Sequence, residues 1–166
     1  MKYTNTAVSI LLPIYNEESL LPSCLESLLK QTFKDLEIIA IDDASRDKSY
    51  AILRQFARKD KRLKAYRNKK RYGPAICLNR AMKRAKARFI AFMNPHDIVS
   101  LHRIKRQVNF LLAQSKIVAV GTQCTFIDSK GNKREKTAFP TNHEKIYPML
   151  LHNSTMRYET AVIDRF

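Results

Sequence analysis

Glycine is scarce in this sequence, three residues in 166, tryptophan is absent, and acids are few: 15 Asp and Glu stand against 31 Lys and Arg, giving a net charge of +16. With so little glycine and no low-complexity tract, collagen-like and linker-like chains are excluded. A hydrophobic content of 45% excludes disorder despite the charge. A long apolar run is also missing. The longest early stretch, Ala7 to Ile14, contains a Ser and a Pro and is followed by Glu17 and Glu18, so it is too short for a membrane helix and wrongly flanked for a signal peptide. The cysteines Cys24, Cys77 and Cys124 form no CxxC pair and have no partnering His. They read as reduced core residues of a cytosolic protein rather than as ligands or disulfides.

What the chain does have is length for one domain with a single core, and a strongly uneven charge. Between Arg54 and Arg106 lie 18 of the 31 Lys and Arg but only two acids, Asp60 and Asp97. Such a field attracts polyanions: nucleic acid, an anionic membrane surface or a diphosphate ligand.

Strand and helix patterns alternate along most of the chain. Ala7 to Pro13, Leu36 to Asp42 and Arg88 to Met93 are short apolar runs of the kind that form strands buried on both faces, and Arg62 to Arg67 is a more exposed one. Leu20, Leu21, Cys24, Leu25, Leu28 and Leu29 make one helical stripe, and Leu53, Phe56 and Ala57 a second. Gly73 and Pro74 open a third helix reaching about Ala85, and a fourth runs from Leu101 to about Ser115. This order predicts an α/β three-layer sandwich with a mainly parallel sheet, whose ligands bind beyond the carboxyl ends of the strands. After Ser115 the rhythm changes to a long strand over Ile117 to Asp128, a turn with Gly131, and a return strand over Lys133 to Phe139. A short helix follows, with Thr141 and Glu144 in capping-box spacing, and then a last strand over Met156 to Phe166. Phe89, Phe92, Phe110 and Phe126 read as core, and His102, His143 and His152 as surface or satisfied residues.

Four strand-end loops carry the residues with chemistry. Tyr15 and Asn16 offer a flat ring with donors and acceptors, suited to a base or to an ordinary turn. Asp42 and Asp43 stand where the second strand ends, able to accept from a base or ribose or to cap the turn. Arg67, Lys69, Lys70 and Arg71 precede a helix N-terminus, either as a diphosphate loop or as a solvated charge run. Asn94, His96 and Asp97 follow the fourth strand; on spacing alone they are a turn with two adjacent metal-ligand types and no third.

Taken in order, the stretches VSILLPIYNEE, SLLKQTFKDLEIIAIDDASRD, GPAICLNRAM, RFIAFMNPHD and IVAVGTQCTFIDSKGN resemble the inverting family 2 glycosyltransferases of the GT-A fold, from about Val8 to Asn132. The resemblance implies a nucleotide-diphosphate sugar as partner. Pro13, Tyr15, Asn16 and Glu17 match the first nucleotide loop, Asp43 the acid that bonds the pyrimidine, with Asp42 supporting the turn. Gly73 and Asn79 match the family's glycine and asparagine around the third helix, and Arg71 lies close enough for the diphosphate. The family's metal-binding Asp-x-Asp stretch falls on Asn94 to His96. It is altered here, so that a divalent Mn or Mg is left to Asp97 with His96. Residues 133–166 would begin an acceptor region, C-terminally abbreviated and lacking a recognisable general base, with a partner chain then supplying the acceptor site. A cytoplasmic protein, peripheral at the inner face of the membrane, is the expected setting. A catalytically degenerate nucleotide-sugar-binding domain and a nucleic-acid binder are the other readings; the second has no recognisable nucleic-acid module.

Overall fold

In a computed structural model the described residues are 7–128, 131–149 and 155–165. The apolar run of β1 (Val8–Ile14) is buried at every position, as is that of β2 (Leu36–Asp42), and the two pair in parallel with Val8 opposite Leu36. Between them runs α1 (Leu21–Leu29), burying Leu21, Cys24, Leu25 and Leu28 while Leu20 stays exposed. Next come α2 (Ser49–Lys59), β3 (Leu63–Arg67), α3 (Pro74–Met82), β4 (Phe89–Phe92) and α4 (Arg103–Ala113). The chain continues through β5 (Ala119–Val120), β6 (Thr125–Ile127), β7 (Lys133–Lys136), α5 (His143–Met149), a 3-10 turn at Tyr158–Thr160 and β8 (Val162–Asp164). The main sheet has the order β3-β2-β1-β4-β8-β5. Its first four strands are mutually parallel, and β8 lies antiparallel to both β4 and β5. Helices α1, α2 and α4 cover one face through Leu25, Leu53, Ile104 and Val108, and α3 covers the other through Cys77 and Ala81, which makes the predicted three layers. Among the described residues, no helix is long and apolar enough to cross a membrane.

Pro13 is tolerated in a central strand for a geometric reason. The Met93 N–H donates to Leu11 O, so the odd-numbered residues of β1 point their backbone groups towards β4. The β4 ladder ends at Leu11 opposite Phe92, and the missing N–H of Pro13 therefore breaks no bond. At the opposite end of the sheet the buried Glu37 accepts from Ser9 Oγ (2.7 Å), Lys86 N–H (3.0 Å) and Lys64 Nζ. Burial pushes its carboxyl up, but these bonds outweigh burial and hold it below its ordinary value.

Several expected boundaries move, and contacts distant in sequence accompany the shifts. α3 stops at Met82 instead of continuing as helix to Ala85, since Lys86 N–H goes to Glu37 and Ala87 N–H to Ser9 Oγ (3.2 Å). α4 starts at Arg103 rather than Leu101, whose carbonyl accepts Thr32 N–H at 3.1 Å. The long strand expected over Ile117 to Asp128 is broken into β5 and β6 at Gly121, where a Cβ would lie 3.1 Å from Met156 Cβ and Sδ. The return strand shortens to β7 and pairs only with β6, as a separate two-stranded sheet. α5 is capped by Asn142, whose Oδ1 accepts Lys145 N–H at 3.0 Å, not by Thr141. The expected continuation of that helix past Met149, His152 and Phe166 lie outside the described residues. Phe89 is core, whereas Phe110 is exposed on the side of α4 opposite its buried stripe, and Phe126 is exposed with the whole of β6. All three cysteines are unpaired, Cys24 and Cys77 buried and Cys124 half-buried. Burial first, then the nearby carboxylates, pushes both buried thiols up to about 12, so they are inert as nucleophiles.

Candidate functional site

The carboxyl ends of β1, β2, β3 and β4 share one edge of the sheet, and the loops leaving them are fastened to one another. Asn16 adopts φ 54°, a left-handed conformation open to Asn, which lets its N–H reach Ser45 Oγ (3.0 Å) while its Oδ1 accepts Arg46 N–H (2.9 Å). Glu17 N–H donates to Ser49 Oγ (2.7 Å), and Glu18 both donates to Asp47 (3.0 Å) and accepts from Lys48 N–H (2.8 Å). The first and second loops thus form a double clasp. Asp42, fully buried, accepts Ser45 N–H (3.2 Å) and meets Arg67 Nε at 3.1 Å, binding the second loop to the third.

Asp43 is the hub of the third loop. Its carboxylate accepts from Asn68 Nδ2 (2.6 Å), from Tyr72 N–H (3.0 Å to each oxygen) and from Gly73 N–H (2.7 Å). Burial pushes this carboxyl up, and the hydrogen bonds from Asn68, Gly73 and Tyr72 more than reverse it, so the group lies below its ordinary value. Gly73 takes φ 91° and ψ 161°, a region essentially closed to residues with a Cβ, while the space around it is open. Gly73→Ala is therefore expected to lower unfolding free energy by about 1–3 kcal/mol through backbone strain alone. Thermal unfolding of the variant checks this, and an unchanged midpoint would show that the loop does not need this conformation.

Tyr15, half-buried, faces this loop. The Arg71 guanidinium lies 4.0 Å above its ring, so the aromatic and the cation singled out in the sequence form one stack across the strand ends. Asn68, passed over in the sequence, links Asp43 to Arg80, whose guanidinium lies 4.1 Å over Tyr72. Asn79 is an exposed residue of α3.

At the end of β4, Asn94 and Pro95 turn the chain and leave His96 exposed and Asp97 half-buried. His96 Nδ1 sits 3.4 Å from Glu17 Oε1, joining the fourth loop to the first. Because β8 runs antiparallel to β4, the turn preceding it arrives at this same edge. It brings Glu159, whose Oε1 accepts Asn94 Nδ2 at 2.9 Å, and Tyr158, whose hydroxyl donates to Asn94 Oδ1 at 3.1 Å. Burial lifts the Asp97 carboxyl above its ordinary value and the charge of Glu159 adds to the lift, against the pull of His96, Arg103 and Arg157. Arg103, buried beneath, donates to Phe92 O (3.1 Å) and Glu159 O (3.0 Å), and burial lowers its own value to about 10. Beside Glu159 opens a cleft of about 410 Å³, lined by Phe139, Met156, Arg157, Tyr158 and Glu159.

Among the described residues no group of three His, Cys, Asp or Glu forms a metal cage. Among the described residues none donates a hydrogen bond to the Asp97 carboxylate, and the charge of Glu159 acts on it. A carboxylate lifted by burial beside a second one suits a divalent ion whose remaining ligands come from a bound phosphate. Glu159, Arg103 and Asn68 were not assigned from sequence. Glu159 becomes visible only once β8 is known to insert beside β4, and the other two are polar residues in segments that look solvent-facing.

An uncharacterized glycosyltransferase of Haemophilus influenzae is 32% identical over 159 residues, 95% of this chain and 62% of that protein. The Escherichia coli UDP-Glc:alpha-D-GlcNAc-diphosphoundecaprenol beta-1,3-glucosyltransferase WfgD is 30% identical over 158 residues, covering 95% of this chain and 60% of its own. The chain thus spans about three-fifths of the length of these two relatives. The mannosyltransferase PcManGT of Pyrobaculum calidifontis, solved with GDP-Man and Mn2+, shares the fold with TM-score 0.71 at 19% identity, over 98% of this chain and 45% of that one. The family model for glycosyl transferase family 2 matches residues 9–165, so these clasped loops at the ends of a mainly parallel GT-A sheet are those of a member of glycosyl transferase family 2.

Proposed function

We propose that the chain is the donor-binding part of a glycosyltransferase that moves a sugar from a nucleotide diphosphate to an acceptor hydroxyl in cell-envelope glycan synthesis. The observation that carries this reading is the convergence of the Tyr15–Arg71 stack, the Asp43 hub and Asp97 on one sheet edge. The base lies beside the Tyr15–Arg71 stack, within reach of Asn16, Glu17 and the Asp43 loop. Arg71 and the N-terminus of α3, opened by Gly73, face the diphosphate. Asp97, with Glu159 behind it and His96 beside it, would hold a Mn or Mg ion, which when bound offsets the charge gathering on the leaving diphosphate. The acceptor enters by the cleft beside Glu159. Its hydroxyl oxygen attacks the anomeric carbon, the bond from that carbon to the diphosphate oxygen breaks, and the hydroxyl proton passes to a base. WfgD, named for a GlcNAc-diphosphoundecaprenol acceptor and a UDP-Glc donor, supports both the acceptor class and the choice of ligand for the test.

Titration calorimetry with uridine and guanosine diphosphates, with and without Mn2+, is expected to give a dissociation constant between about 1 µM and 1 mM for one of them, tightened by the metal. No heat with either, in both conditions, would remove the proposal. A second reading, a nucleotide-sugar-binding module without turnover, draws on the engagement of Asn94 by Glu159 and Tyr158, which ties up the amide at the altered motif. A donor-hydrolysis assay separates the two.

A further inference from the structure

The cations concentrated between Arg54 and Arg106 are ordered in space by tyrosines. Arg54 and Arg67 lie over Tyr50 at 5.9 and 4.8 Å, and Arg84 lies over Tyr66 at 4.7 Å. Arg80 and Lys70 lie over Tyr72 at 4.1 and 5.5 Å. These stacks join. Tyr66 and Arg67 are successive residues of β3, and since strand side chains alternate, Tyr66 packs on the α3 side while Arg67 reaches Tyr50 of α2. Arg84 donates to the Arg80 carbonyl at 2.9 Å, continuing the line along α3 to Tyr72 and Lys70. Because β3 is the outermost strand, the result is a cationic belt around the sheet edge from α2 across β3 to α3, extended by the exposed Arg58 and Lys59. The acids on this side are already engaged: Asp60 by Arg62 (2.8 Å), Glu37 by Lys64 and Asp42 by Arg67 (3.1 Å).

Two properties select the partner. The tyrosine faces are covered by cations, so they do not form the bare platform on which single-stranded bases stack; the groups left pointing outwards are N–H donors, which read phosphate. The belt is also spread over the sides of two helices and a strand edge, as contact with an extended surface requires, and clusters of about four to eight Lys and Arg are what anionic lipid headgroups hold. A few lysines would be enough to keep an edge strand from pairing with other chains; this belt goes well beyond that. We infer that the α2–β3–α3 edge docks the protein on an anionic phospholipid surface. The strand-end site then opens beside the headgroups, since Arg71 on Tyr15 directly adjoins the Tyr72 stack. The inference does not depend on which sugar is transferred, or on whether any is.

Co-sedimentation of the protein with vesicles tests it. Binding is expected to phosphatidylcholine–phosphatidylglycerol vesicles at physiological ionic strength, not to phosphatidylcholine alone, and to disappear in high salt. The triple variant Arg54→Glu/Arg58→Glu/Arg84→Glu, confined to exposed residues outside the strand-end loops, is expected to bind the mixed vesicles about 100-fold more weakly. Its circular dichroism and its calorimetric response to nucleotide diphosphate should match the parent. Wild-type protein that ignores anionic vesicles would overturn the inference, as would a triple variant that binds them like wild type. A higher affinity for an oligonucleotide than for the vesicles, lost in the same variant, would overturn it in favour of nucleic acid.

Discussion

Asp43→Ala is expected to lower the unfolding free energy by roughly 3–5 kcal/mol and to abolish measurable nucleotide binding. The loss is large because the carboxylate is buried and its removal strands three donors at once, the Asn68 amide and the N–H groups of Tyr72 and Gly73. Urea unfolding at constant m checks the first effect and calorimetry the second. Asp43→Asn, which keeps shape but not charge, should fall between variant and parent. The sign of the pH dependence follows from the lowered value of this group. Its contribution is full above the ordinary Asp value of about 3.9 and is lost as pH falls through its lowered folded value. The acid limb of a stability–pH curve should therefore be steeper in the parent than in Asp43→Ala. A variant as stable as the parent would mean that the hub does not hold the loop.

Asp97→Asn should do the opposite: little to the fold and much to the ligand. A carboxyl raised above its ordinary value in the folded state favours the protonated form there, so ionised Asp97 works against folding and its neutral amide replacement should leave stability unchanged or slightly higher. If Asp97 holds the ion, the same change is expected to weaken the Mn2+-dependent part of nucleotide diphosphate binding by about 100-fold. Metal-free binding should stay as it was. Glu159→Gln, next to Asp97 and bonded to Asn94, should give a smaller loss in the same experiment. Calorimetry across a Mn2+ series reads all of these, and equal metal enhancement in Asp97→Asn and parent would exclude Asp97 as the ligand.

The parallel half of the fold was legible because its strands are buried on both faces and so read as mostly apolar runs, Val8 to Ile14 and Leu36 to Asp42 above all. The strand-end loops were legible for the same reason: once the strands are placed, the sheet brings Tyr15, Asp43, Arg71 and Asp97 to one edge. What was not legible depends on contacts distant in sequence. Gly121 lies between β5 and β6 where a Cβ would meet Met156 and Thr160 within 3.3 Å, and Gln31 is fully buried so that it can donate to Ser100 O (2.8 Å) and accept from Ile104 N–H (3.2 Å). Arg103 and Gln107 are likewise buried to bridge β4 and the turn before β8, in positions where a helical polar residue ordinarily meets water. No local pattern announces these, since each is decided by a partner that arrives much later in the chain.

The insertion of β8 between β4 and β5 has a kinetic consequence. β1, β2, β3 and β4 are joined by short crossovers and can assemble in chain order, whereas β5 has no neighbour in the main sheet until β8 threads in beside it. That pairing is only two residues long, Ala119 with Ile163 and Val120 with Val162, so it closes only after β8 arrives and is the first to open. Glu159 and Tyr158 ride on that step. Hydrogen exchange should therefore find the side of the site next to Asn94 opening at lower free energy than the side built on Asp43, so that one half stays formed while the other is gated.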